Sequence, residues 1–514
     1  MMGSHERIIR SYAWLKPMPS AGSALVTLLL LVGCAVGPDF KRPEAPAVDR
    51  YTRDPFMTNT VSADIAAGEA QRFALNQDIS SQWWTLFQSP ELNALIDKAL
   101  AASPTVTAAE AALHQAIELV RAQQGYFFPT VDANLTPGMY RSSPATSPLL
   151  STPSTNYNLY TSSFPVGFVP DVFGGNRRQV ESLQAQAEFQ RFQLEATYLT
   201  LTSNLVAAAV QEASLRAQIA ATKEIIAIST KSLELVRHQF RLGYVAQLDV
   251  AAQEAALAQV QQTLPPLQKQ LEQTRDLLTA LAGLFPSDEP AVKFELSDLH
   301  LPQELPVSLP SKLVEQRPDV RAAEQQVQAA SAQIGVAIAN MLPQIRINAV
   351  KGGIGTDITF MYGPGQPFAN VEFSFTQNLF AGGALLHLKR AAEAAFEQAA
   401  AQYRSTVLTA FQNVADTLYA LQNDAESLKG AVAAERATKV TLDLTLKQQQ
   451  VGYVNYLALL SARMAYQQSL ITRVQAQASR YSDTVALFQA MGGGWWNRSN
   501  EPVAQTISQP SERR

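Results

Sequence analysis

Apolar residues recur along this chain at two rhythms. In the first, Leu194, Tyr198, Leu201, Leu205 and Ala208 advance by steps of three and four. The series resumes at Leu215 and Ile219 and runs on through Ile226, Leu233, Val236 and Phe240, with Glu212, Thr222 and Ser229 interrupting it. Val407, Phe411, Val414, Leu418, Leu421, Ala425, Leu428 and Val432 repeat the rhythm later. A sustained seven-residue period predicts coiled-coil packing with left-handed supercoiling. Asn176 to Leu242 contains no Pro or Gly, and Ala384 to Val451 contains only Gly430. Rods of about 65 residues reach roughly 100 Å at ~1.5 Å per residue, whereas an ordinary globular helix has about 11–12 residues. Two such rods alone would fit a filamentous coiled coil.

The second rhythm argues against a plain filament. In "NVEFSFTQN" (370–378), Val371, Phe373 and Phe375 alternate with Glu372, Ser374 and Thr376. In "PQIRINAV", Ile345, Ile347 and Ala349 alternate with Arg346 and Asn348, and Val131, Ala133 and Leu135 alternate in the first half. Period two with one apolar face predicts strands, and suits a barrel with lipid outside and water inside. Soluble half-buried hairpins produce the same alternation.

The chain also repeats itself. Pro104 aligns with Pro318, Pro129 with Pro343, Phe173 with Phe380, Gly243 with Gly452 and Gly283 with Gly492, at offsets of 214, 214, 207, 209 and 209. So constant an offset marks a duplication. The first repeat spans 86–300, with strands within about 128–172 and long helices within about 176–283. The second spans 301–494, with strands within about 342–380 and long helices within about 384–491. Each opens with one helix, about 91–125 and about 310–340. Pro265-Pro266 has no counterpart in the second repeat and predicts a helix break there. An extension (34–85) precedes the repeats and a tail (495–514) follows them.

Four strands cannot close a barrel around a pore, and an open edge in lipid leaves backbone groups unpaired at several kcal/mol each. This reading therefore requires several copies to associate.

Composition removes other classes. Among 514 residues, 40 basic and 44 acidic ones give a net charge of −4, so no basic excess points to nucleic acid. The histidines are scattered without ligand spacing, and no Ser/His/Asp motif, phosphate loop or paired-acid signature stands out. No catalytic residue, metal site or cofactor is expected. The single cysteine, Cys34, ends "ALVTLLLLVGC" after Arg7, Arg10 and Lys16. A basic region followed by a short apolar run predicts a signal peptide over 1–33.

That ending resembles a bacterial lipobox, which implies lipidation of Cys34. Ala35 after it implies the outer membrane. The lipobox with "AVGPDFKRPEAP", the duplicated Pro–strand–strand–Phe-Gly-Gly–long-helix–Gly unit, "WWTLFQSPELNALIDKAL" and "MGGGWW" together resemble the TolC-type outer-membrane efflux factors of the lipoprotein branch, over about residues 34–496. The resemblance implies a homotrimer in the outer membrane. Four strands per chain would make a 12-stranded β-barrel, continued by a periplasmic α-helical barrel. It implies two partners, a periplasmic adaptor protein and an inner-membrane pump of the resistance-nodulation-division type, and a passive gated duct for small molecules. A structural or adhesive coiled-coil lipoprotein, or the same duct serving protein secretion, are the alternatives.

The resemblance also implies a gate at the second Gly turn, usually a leucine and a carboxylate one turn on. Leu457 and Ser461 hold those positions, so serine replaces the acid. Asp249 matches the family's carboxylate of the first repeat and aligns with Ala458. Leu457 and Leu460 are expected to form an apolar ring and Asp249 a weak cation filter, although an ordinary surface acid at a helix tip is the plainer reading of Asp249. Arg463 is expected to pair with an acid on a neighbouring helix.

Overall fold

The computed structural model describes residues 35–55, 57–141, 156–288 and 292–498. The signal peptide, Cys34 and the tail beyond Arg498 lie outside them.

In chain order the elements are β1 (Arg72–Leu75), α1 (Pro90–Ala102), α2 (Pro104–Gly125), β2 (Thr130–Val131), β3 (Asn134–Arg141) and β4 (Asn156–Phe168). Then come α3 (Gly175–Arg241), α4 (Gln247–Gln261), α5 (Leu264–Leu281), β5 (Glu304–Val307), α6 (Pro310–Gln316) and α7 (Pro318–Ala339). The chain closes with β6 (Gln344–Gly355), β7 (Pro367–Thr376), α8 (Ala384–Gln450) and α9 (Tyr456–Ala490). The elements form two compact units, each drawing on both halves of the sequence. Over the described residues, one comprises 35–40, 120–183 and 330–396; the other comprises 41–119, 184–329 and 397–498.

The first unit holds an antiparallel sheet. β4 pairs with β2 and β3 on one side and β6 on the other, and β6 pairs with β7. The register joins Val131 to Val166, Val166 to Ala349 and Ala349 to Val371 in one row. It joins Phe168 to Ile347 and Ile347 to Phe373 in another, while Ile345 faces Phe375. Because side chains alternate across a strand, these residues share one face. Gly167, Asn348 and Glu372 align on the other. On the apolar face Val131, Val371, Phe373 and Phe375 are each about two-thirds or more exposed in the single chain (67, 65, 75 and 67%), so nothing among the described residues covers it. The first of the four predicted strands is recorded as two pieces, β2 and β3, separated by Asp132 and Ala133.

The beginning of the described chain is seated in the same unit. Val36 donates its N–H to Phe173 O at 3.1 Å. Arg178, in the first turn of α3, donates to Val36 O (3.1 Å) and to the Asp39 carboxylate (2.7 Å). A Cβ on Gly335 would stand 2.7 Å from Arg178 Cγ and 2.8 Å from Val36 O, so the segment lies in a notch that only glycine leaves open. Asp171 caps α3, accepting from the N–H groups of Asn176 and Arg177 at 2.9 Å each. Asp171 lies three residues before the N-cap position, Gly174, and reaches in from the preceding turn to satisfy donors that glycine has no side chain to satisfy.

α3 and α8 each run 67 residues in all, beginning in the first unit and continuing through the second. α8 passes through Gly430 without a break, and open space surrounds that glycine. Val407, Val414, Leu418, Leu421, Ala425, Leu428 and Val432 are all buried, as the heptad requires. The buried interruptions are satisfied locally: Glu212 accepts from Arg216 Nε at 2.8 Å, and Thr222 Oγ1 donates to Gln218 O at 2.8 Å.

Two expectations change. The single opening helix of each repeat is in fact two. α1 stops at Ser103 (φ −68°, ψ 121°) before Pro104, and α6 stops at Arg317 (φ −81°, ψ 123°) before Pro318. A proline drives the preceding residue out of the helical region, so the aligned prolines are aligned breaks. A short parallel pair, β1 with β5, was also not foreseen. The break at Pro265-Pro266 is present: α4 ends at Gln261, and α5 begins at Leu264 with the prolines in its first turn. α9 runs unbroken through the matching stretch.

An aromatic layer packs the chain ends together. Trp83 stacks on Phe488 with centroids 5.1 Å apart, and Phe87 meets Tyr481 at 6.3 Å. Gly492, Gly493 and Gly494 all have positive φ, and a Cβ on Gly492 would come within 2.5 Å of Gln316 O. This explains the glycines of "MGGGWW": a left-handed backbone laid against a neighbouring carbonyl. Trp495 Nε1 donates to the same Gln316 O at 2.6 Å.

Candidate channel gate

Both Gly-Tyr turns end their long helices in the same way. Gly243 (φ +80°) donates to Phe240 O and Tyr244 to Gln239 O, at 2.9 and 3.0 Å. Gly452 (φ +81°) donates to Gln449 O and Tyr453 to Gln448 O, at 3.1 and 2.9 Å. These paired bonds satisfy the last helical carbonyls and require the left-handed residue that glycine supplies. The turn occurs twice because the same reversal is made twice.

The next helices start differently. In α9, Asn455 is the N-cap and its Oδ1 accepts from Ala458 N–H at 3.0 Å. In α4 the N-cap is Ala246, which has no acceptor, and Asp249 reaches back to accept from Ala246 N–H at 3.0 Å. Asp249 is therefore half-buried at a helix start, where the helix dipole also favours a negative charge.

The predicted gate residues cluster in the first two turns of α9. Leu457 is exposed, Leu460 half-buried and Ser461 exposed, whereas Leu459 between them is 2% exposed and packs inward. Leu457 and Ser461 thus share a helical face presented outward by the single chain, and Asp249 lies on the other hairpin.

Polar links that the sequence reading missed tie the two hairpins together. Tyr456 donates its hydroxyl to Gln253 Oε1, and Gln253 Nε2 donates to Ser229 O at 3.0 Å. Gln253 is only 1% exposed. Arg463 donates to Ser232 Oγ. This corrects the expectation that Arg463 pairs with an acid: its partner is a hydroxyl, because the α3 position it reaches is a serine. Burial pulls the Arg463 guanidinium below its ordinary range and pushes the Tyr456 phenol above its own. Outside this cluster, Arg237 of α3 pairs with Glu254 of α4 at 2.7 Å. No sequence pattern signalled this link, because Gln253 reads the backbone carbonyl of Ser229, which any residue would supply.

Among the described residues no group of acids, histidines or cysteines could hold a metal ion. No described helix is long and apolar enough to cross a membrane.

The family model for the outer membrane efflux protein matches twice, over residues 95–284 and 309–493. This chain belongs to the outer membrane efflux protein family. The toluene efflux pump outer membrane protein TtgC of Pseudomonas putida is 27% identical over 492 residues, covering 94% of this chain and 97% of the relative. Outer membrane protein OprJ of Pseudomonas aeruginosa is 26% identical over 481 residues, covering 92% and 95%. The solved outer-membrane channel OprN superposes with a TM-score of 0.80 at 26% identity, over 90% of this chain and 100% of that one. The Campylobacter jejuni CmeC channel has the same fold, with a TM-score of 0.80 at 19% identity, over 90% and 95%. The efflux protein is thus an outer-membrane export channel component, built on a duplicated unit of long helices and membrane strands. Its relatives are transport channels.

Proposed function

We propose that three copies of this efflux protein join their sheets edge to edge into one 12-stranded barrel, and their long helices into one helical duct. The observation that carries the proposal is the sheet itself. It is apolar and bare on one face and polar on the other, with β2/β3 and β7 at edges that find no second neighbour among the described residues of one chain. Hydrocarbon tolerates no unpaired strand edge, and three equivalent joints remove all of them. The duct is passive and serves a tripartite system with a periplasmic adaptor and an inner-membrane pump, the pump being of the resistance-nodulation-division type. Its cargo is small molecules, in line with relatives named for toluene efflux and for pyoverdine export. Lipidation of Cys34 anchors each copy to the outer membrane.

Leu457 and Leu460 narrow the closed duct with an apolar ring, which resists water and ions without charge. Ser461 adds no charge there, and Asp249 contributes one acid per copy. Particle imaging and single-channel recording of the purified protein test the reading together. A trimer with a central opening and a conductance supports it, and a compact monomer that conducts nothing overturns it. Globomycin is expected to accumulate the unprocessed precursor if Cys34 is lipidated.

A further inference from the structure

α8 and α9 run antiparallel after the Gly452 turn, and two polar rungs set their register. The Thr438 and Ser469 hydroxyls meet at 2.7 Å, and Arg473 Nε donates to Glu435 Oε2 at 2.9 Å. Eleven residues back along α8 from Glu435 is Asp424, and ten residues on along α9 from Arg473 is Asp483. The register is kept to one residue, or ~1.5 Å of helical rise. The next polar rung therefore sets Asp424 against Asp483, acid against acid.

A hydrogen bond between carboxyl groups needs a proton, since an ionised carboxylate only accepts. Asp424 Oδ2 is shielded from solvent and has no donor within the described structure. The cation nearest in sequence, Arg480, is close enough to feel the charge of Asp424, but no hydrogen bond joins the two among the described residues, and its Nε is buried without a partner. Arg480, one turn before Asp483, donates to Ala67 O (3.0 Å), Glu69 O (2.9 Å) and Gln71 Oε1 (3.1 Å). Glu69, on the N-terminal segment, adds a further negative charge to this layer. Tyr481, also on α9, donates its hydroxyl to Leu299 O at 2.7 Å.

The first repeat has no such layer. At the offset of 209 residues, Asp424, Arg480 and Asp483 correspond to Leu215, Leu271 and Thr274. Leu215 and Leu271 form an apolar cluster with Ile219. Only the second helical hairpin replaces that dry layer with acids.

We propose that Asp424 and Asp483 share one proton and form a pH-sensitive joint between α8 and α9. Burial first, and Asp424 second, raise the Asp483 carboxyl to about 7. With a folded value above the unfolded one, the folded protein binds the extra proton between about pH 4 and about pH 7. The joint holds fully at low pH and is lost as pH rises through about 7. Above that, two ionised carboxylates push the helices apart.

The test uses the full-length protein in detergent. In the wild type, the infrared band of a protonated carboxyl group should persist at pH 6 and fade by about pH 8, as the protonated fraction drops from about nine-tenths to about one-tenth. Asp483→Asn and Asp424→Asn should each abolish that band and flatten the decline of the melting midpoint over the same range. Three results would overturn the joint: no such band at neutral pH, a pH profile unchanged in both variants, or a midpoint that falls on adding a chelator, which would put a cation between the acids. The infrared arm needs no variant and does not depend on what the chain exports.

Discussion

Asp249 accepts the backbone N–H of Ala246 at 3.0 Å, while at the equivalent turn the side chain of Asn455 accepts from Ala458 N–H at 3.0 Å. The two repeats cap the same helix start with residues three positions apart. The acid expected to filter ions therefore also holds a helix end, and the two roles separate by substitution. Asp249→Asn keeps an oxygen to accept the bond and should leave stability nearly unchanged, while shifting the reversal potential of an open channel away from cation preference. Asp249→Ala should cost about 1 kcal/mol as a lost cap, read as a lower melting midpoint. An unchanged reversal potential in both variants would restrict Asp249 to capping.

Leu457→Ala should raise ion and antibiotic leakage through the closed channel without lowering the melting midpoint, because Leu457 is exposed in the single chain. Unchanged leakage would remove it from the gate.

The hairpin link gives a separate expectation. Tyr456→Phe deletes the hydroxyl that Gln253 receives and leaves a buried amide oxygen without its donor, a penalty of about 1–3 kcal/mol. More frequent opening in single-channel records is the expected readout. The change should be smaller in a Gln253→Met background, where the oxygen is already gone, and equal effects in both backgrounds would disprove the link.

The sheet faces predict opposite tolerances at neighbouring positions. Phe373→Arg puts a charge on the bare apolar face and should cost about 2–4 kcal/mol if the site lies near the bilayer centre, read as reduced outer-membrane insertion. Glu372→Gln, on the other face, should insert normally and change only ion selectivity.

The long rods were legible because a heptad leaves a trace at every turn, from Val407 to Val432. The strand faces of the second half were legible because Ile345 and Ile347, and Phe373 and Phe375, stand at alternate positions. The breaks at Ser103 and Arg317 were missed although Pro104 and Pro318 had been aligned, since periodicity bridges a one-residue interruption. The Tyr456–Gln253–Ser229 chain left no pattern at all: it joins residues from three helices, and only the fold brings them together. The Asp424–Asp483 rung was hidden for the same reason, because neither acid has an unusual neighbour along the chain.

Trp83 stacks on Phe488, 405 positions later in the sequence. Half of that aromatic layer leaves the secretion machinery while its other half is still unsynthesised or untranslocated. Early Trp83, Trp84 and Phe87 must wait, apolar and uncovered, for almost the whole polypeptide to arrive, which makes this a late-closing, slow-folding arrangement.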